Sequence, residues 1–146
     1  MRFIGFERED EALAWAKEII GISHPTGFCR ALSAVDGDEN LCFVIVLSTF
    51  TSRNVDFHLA AVPGGKWATP GQIVMMFNSV FQYIFDHLKA ARATGLVRNK
   101  NTVAKRFVEH IGFTREGLMR NAFSDDDLCI YGFLAEDYLA HPWHRS

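Results

Sequence analysis

Apolar positions along this chain recur in two different periods that alternate, and the alternation predicts a mixed α/β (α+β) fold. Residues 2–6 read as a short strand, whereas Ala12, Leu13, Trp15, Ala16, Ile19 and Ile20 within residues 10–20 fall at the spacing of an amphipathic helix. Residues 21–27, with His24-Pro25-Thr26, read as a loop. Residues 28–35 and the apolar run 41–50 flank the turn cluster Asp36-Gly37-Asp38-Glu39-Asn40, which predicts a hairpin. A third strand, residues 55–62, ends at Pro63-Gly64-Gly65, where a ladder cannot continue.

The second half opens on a capped helix. Thr69 is a suitable N-cap with Pro70 at the first helical position, and Ile73, Val74, Phe77, Val80, Phe81, Ile84, Phe85 and Leu88 give one long helix a broad buried face. A short strand is expected at residues 95–99. Asn101 then caps a helix bearing Val103, Ala104, Phe107, Val108 and Ile111 on one face, and Gly112 supplies its left-handed stop. Residues 113–123 pair with 128–134 across Ser124-Asp125-Asp126-Asp127. Strand, helix, three antiparallel strands, helix, strand, helix, hairpin is the resulting order, and the early hairpin argues against a doubly wound nucleotide-binding fold.

Composition adds limits rather than new elements. The chain has 146 residues, 49% of them hydrophobic, and a chain of that length buries roughly two-thirds of its unfolded surface in one core. A single domain spanning residues 1–146 is expected. The longest apolar run, residues 41–47, is far shorter than the roughly 20 residues of a membrane helix, and the first ten residues lack a signal peptide's apolar stretch. A soluble, cytoplasmic protein is the expectation. Cys29, Cys42 and Cys129 are odd in number and widely spaced among apolar neighbours, so they read as reduced packing residues. Net charge is −2, with Arg92, Arg98, Lys100, Lys105, Arg106, Arg115 and Arg120 crowding one segment; a global nucleic-acid footprint is absent, while the local cluster suits either a solvated face or a phosphorylated cofactor. No metal is expected, because His141 and His144 flank Pro142 and His87 and His110 lie on different helices. The Asp125-Asp126-Asp127 run lacks the glycine and distal glutamate of a calcium loop.

Two stretches carry candidate chemistry. The strand-to-helix junction Ala60-Ala61-Val62-Pro63-Gly64-Gly65-Lys66-Trp67-Ala68-Thr69 places glycines before a Pro-started helix. Free N–H groups there can form an anion site for a pyrophosphate, or the segment can be a plain turn. A P-loop fits worse, since Trp67 stands where a magnesium-binding Ser or Thr is required.

The second stretch carries a resemblance. Asn101, Ala104 and Phe107, followed by Ile111-Gly112-Phe113, Glu116, Gly117 and Arg120 and then Ile130-Tyr131-Gly132, resemble the C-terminal half of the GNAT superfamily of N-acetyltransferases. The likeness covers residues 99–138 and is best to the branch that acetylates protein N-termini, typified by the ribosomal-protein enzymes. It implies a central mixed, mostly antiparallel sheet flanked by helices, acetyl-CoA as co-substrate, and an amine acceptor attacking the thioester directly. The acceptor class, a small molecule or a protein N-terminus or lysine, stays open, as does a homodimer.

The resemblance also implies roles for particular residues. Backbone groups of Ala60, Ala61 and Val62 would take the pantetheine arm, and residues Gly64, Gly65, Lys66, Trp67, Ala68 and Thr69 the pyrophosphate. This loop departs from the family pattern: Pro63 stands at its Arg or Gln position, Lys66 at its central Gly, and only Ala68 agrees. Asn101 would hydrogen-bond the pantetheine, Ala104 would let it pass, and Lys105 would reach a phosphate. A general base would come from Asp56 or His58, which share a strand face with Ala60; a hydrogen-bonded core histidine and an exposed edge aspartate are the alternatives. The family's thiolate-protonating Tyr falls at Phe107, leaving Tyr131 as a substitute donor or as a packing aromatic. Two other readings remain: a GNAT-fold binding or assembly protein without acetyl-CoA, and a GNAT-fold transferase that modifies a nucleobase.

Overall fold

The computed structural model describes residues 1–20, 28–62 and 69–145, without the side chain of Ile20. The expected loop at residues 21–27 lies outside them. Strands β1 (Arg2–Gly5), β2 (Cys29–Val35), β3 (Leu41–Ser48), β4 (Asn54–Ala61), β5 (Arg92–Arg98), β6 (Thr114–Met119) and β7 (Leu128–Leu134) form one sheet in the order β1-β2-β3-β4-β5-β7-β6. Every neighbouring pair is antiparallel except β4 with β5, which is parallel. The expected mixed, mostly antiparallel sheet flanked by helices is therefore present.

Strand alternation sorts the side chains onto two unlike faces. On one, Phe43, Ile45, Leu47, Val55, Phe57, Ala93, Tyr131 and Phe133 are buried under α2 (Pro70–Phe81), its continuation Gln82–His87, α3 (Thr102–Ile111) and α4 (Ala135–Ala140). Phe81 is a hub of this core, its ring centroid 4.7 Å from that of Phe133, 4.9 Å from Phe77 and 6.1 Å from Phe57. On the other face, Ala31, Val35, Val44, Val46 and Ala60 pack with Ala12 and Ala16 of α1 (Glu9–Ile20). Alanines on both surfaces let this helix sit close to β2, β3 and β4.

Several boundaries differ from the hydrophobic reading, among them the end of β6, at Met119 rather than residue 123. The long helix changes register: Gln82–His87 is a π-helix, with Leu88 N–H donating to Tyr83 O over 2.9 Å. Ile84 and Phe85 stay buried through the change, so spacing alone did not reveal it. Strand β5 begins at Arg92 rather than residue 95, because Arg92 and Thr94 face the half-open side of the sheet and break the apolar run. A short α4 follows β7, started by Leu134 N–H donating to Asp137 Oδ2 at 3.0 Å and buried mainly through Tyr138. The segment beyond it is tied to α2 by Asn78, whose Nδ2 donates to Trp143 O (2.8 Å) and whose Oδ1 accepts from Arg145 N–H (2.8 Å). The three cysteines are free thiols, as expected.

Candidate functional site

The sheet comes apart at its centre. Strands β4 and β5 pair only from Asn54↔Arg92 to Phe57↔Gly95, although β4 runs on to Ala61 and β5 to Arg98. Beyond that point each strand follows its antiparallel partner, with Ala61 opposite Phe43 on β3 and Leu96 opposite Ile130 on β7. Val62 N–H donates to Cys42 O at 3.0 Å, so strand alternation turns the N–H and C=O groups of Leu59 and Ala61 away from β3, toward the opening. Leu59 and Ala61 are half-buried, and an extended ligand with amide groups can pair with backbone groups so turned.

Two helix starts border the wide end. Strand β5 leads to α3, whose cap Asn101 accepts from Ala104 N–H at 3.1 Å, and β4 leads toward α2, whose cap Thr69 accepts from Gln72 N–H at 3.3 Å. Pro63, Gly64, Gly65, Lys66, Trp67 and Ala68 fall outside the described residues, so the expected pyrophosphate cradle is represented here only by Thr69. Ala104 is buried at the first turn of α3. Lys105 Nζ donates to Asn99 O and Asn99 Oδ1, both at 3.1 Å, and so satisfies the carbonyls of the turn before the helix.

The expected acid and base are not brought to one side. Asp56, His58 and Ala60 share the face that α1 covers only in part, and His58 Nε2 lies 3.2 Å from Ser48 Oγ. Burial lowers the His58 pKa below the ordinary 6.5, opposed by the nearby Asp56 charge, which favours a neutral imidazole able to accept a proton. Tyr131 lies on the opposite face, fully buried, and its hydroxyl donates to Glu109 Oε1 at 3.2 Å. Burial and the Glu109 carboxylate raise its pKa. Phe107 is buried with its ring 5.6 Å from that of Phe43.

Several polar residues of this face escaped the sequence reading. Asn54 Nδ2 donates to Asp56 Oδ1 (2.9 Å), the Thr94 hydroxyl donates to Asn54 Oδ1, and Arg92 Nε donates to Thr94 Oγ1 (3.2 Å) while its Nη2 pairs with Glu116 Oε1 (2.6 Å). Their sequence signal is polar residues at every second position, 54, 56 and 58 on β4 and 92 and 94 on β5. Among the described residues, no three His, Cys, Asp or Glu side chains gather as a metal site, and no helix is long and apolar enough to cross a membrane.

Comparison with known proteins bears on the fold. No family model matches the chain, and no curated protein matches it. Among solved structures, a variant of the spermidine N-acetyltransferase SpeG from Vibrio cholerae superposes with a TM-score of 0.69 at 18% identity, covering 95% of each chain. A dodecameric structure of the spermidine N-acetyltransferase from Vibrio cholerae gives 0.64 at 20% identity, over 97% of this chain and 86% of that one. An acetyltransferase of the GNAT family from Bacillus anthracis gives 0.58 at 22% identity, over 73% of this chain and 66% of that one. The chain thus has the GNAT fold.

Proposed function

We propose that this chain is an acetyl-CoA-dependent N-acetyltransferase that transfers acetyl to a primary amine by direct attack. The observation that carries the reading is the opening between β4 and β5 beyond Phe57 and Gly95, bordered by backbone groups of Leu59 and Ala61 that have no strand partner on β5 among the described residues, and flanked by Asp56 and His58. Acetyl-CoA supplies the acetyl group as a thioester. Leu59 and Ala61 would offer amides to its pantetheine arm, Asn101 would hydrogen-bond that arm, and Thr69 at the start of α2 would meet its phosphates. Asp56 holds the acceptor as an ammonium, and His58 takes its proton to free the nitrogen lone pair. In the transfer a C–N bond forms, the C–S bond breaks, the nitrogen gives its second proton to solvent, and the thiolate takes one from solvent, since Phe107 carries none and Tyr131 is bonded to Glu109. Lacking a positioned acid costs about 10²- to 10⁴-fold in rate, so a slow enzyme is expected. The solved neighbours named as spermidine N-acetyltransferases make an alkyl polyamine the first acceptor to test.

The same Phe107 and Tyr131 geometry favours a second reading, a GNAT-fold binding protein. Thermal unfolding with acetyl-CoA, followed by thiol release with spermidine, separates the two. At a hundred times its dissociation constant the ligand stabilises by about 2.7 kcal/mol. Stabilisation with thiol release supports the transferase, and stabilisation without release from a panel of primary amines supports ligand binding without catalysis. An unchanged melting temperature at millimolar acetyl-CoA removes the transferase and leaves the ligand-free binding protein.

A further inference from the structure

The polar residues that the proposed reaction does not use form a directional chain ending on one that it does. Strand β6 has a bulge between Arg115 and Gly117, and the inserted residue, Glu116, reaches over β7 to Arg92 on β5. Gly132 lies directly beneath: a Cβ there would collide with the Glu116 carboxylate and come within 2.7 Å of Arg92 Nη2. A bulge that aims a carboxylate and a glycine that clears its path are two independent backbone features serving one ion pair.

From that pair the donors run one way. Arginine only donates, so Thr94 Oγ1 accepts from Arg92 Nε and spends its own proton on Asn54 Oδ1. With the Asn54 oxygen so engaged, its Nδ2 is turned to Asp56 Oδ1 at 2.9 Å. Glu116 pairs with Arg92, whereas Asp56 has no cationic partner among the described residues. One oxygen of Asp56 is anchored, and its charge has no ion-pair partner among the described residues.

We propose that Thr94 and Asn54 are positioning residues for the acceptor, holding the Asp56 carboxylate in one rotamer so that its second oxygen receives a primary ammonium. The inference rests on the transferase reading for the acceptor's role, but amine binding on this face is measurable without turnover. A chain that merely stiffens the sheet would raise no acceptor-specific effect when broken at Thr94. Removing the hydroxyl leaves Asn54 free to turn, and Asp56 then meets the ammonium in several rotamers.

The test uses isotope-labelled full-length protein titrated with 1,4-diaminobutane, read by amide shifts of residues 54–58, with coenzyme A affinity measured separately in every variant. Wild type is expected to show saturable shifts. Thr94→Val is expected to weaken diamine binding about tenfold, the size of one lost hydrogen bond, and Thr94→Ser to restore it to within about threefold. Coenzyme A affinity stays the same throughout. If Thr94→Val does not fold, Asn54→Leu breaks the next link and takes its place. Absence of saturable shifts in wild type, equal diamine affinity in Thr94→Val, or failure of Thr94→Ser to restore it overturns the proposal. Diamine binding without coenzyme A binding would remove the transferase reading and leave this amine site standing; the converse would remove the site alone.

Discussion

At His58 a single side chain meets two demands, burial and proton acceptance, and burial wins: its pKa lies below 6.5. His141, also depressed by burial, behaves alike. Both are neutral in the folded state where the unfolded chain would bind a proton, so their stability contribution is complete above pH 6.5 and is lost progressively as pH falls from there through the lower folded-state pKa. Urea midpoints are expected to drop between pH 7.5 and pH 5.5, and His58→Gln should reduce that drop while lowering transfer by about 10²- to 10⁴-fold; an unchanged rate would remove His58 as base. Two glycines separate sharply at the same scale. Gly112 has φ of +114° and its Cβ would press on the Phe133 ring at 3.1 Å, so Gly112→Ala should cost about 1–3 kcal/mol by denaturant melts. Gly132→Ala displaces only two half-exposed side-chain ends and should cost less than about 1 kcal/mol.

The caps show how far elements were legible beforehand. Asn101, Gly112, Thr69 and Pro70 occupy the expected positions because capping depends on a few adjacent atoms. Asn101→Ala should cost about 1 kcal/mol in urea melts, whereas Asn101→Asp should hold the helix and weaken acetyl-CoA binding; equal affinity in Asn101→Asp would remove this residue from the ligand's path. What stayed hidden was not local. The π-helix still buries Ile84 and Phe85, which the apolar spacing marks, and the start of β5 is masked by Arg92 and Thr94, whose partners Glu116 and Asn54 are distant in sequence. The same distance concealed the partners of the candidate site. Alternation placed Asp56 and His58 on one face, but no pattern along the chain reports that Tyr131 points to Glu109, or that Lys105 folds back on Asn99.

Across the whole molecule, the sheet is two antiparallel leaves joined by four registered residue pairs. Aromatic rings add to the join on the buried face, where Phe57 of β4 lies 5.3 Å from Phe113 and 6.1 Å from Phe81. Phe57→Ala should therefore cost about 3–5 kcal/mol in denaturant melts, like other large buried aromatics; a loss under about 1 kcal/mol would mean that the rings do not join the leaves. The join also sets how the protein can be rebuilt. Residues 92–134 hold β5, α3, β6 and β7, a contiguous stretch whose strands pair antiparallel among themselves. Such a stretch is a candidate cassette for exchange with its counterpart from another protein of this fold, and a chimera must match the short parallel spine, the rings around Phe57 and Phe81, the Phe43–Phe107 contact and the Thr94–Asn54 bond across the graft.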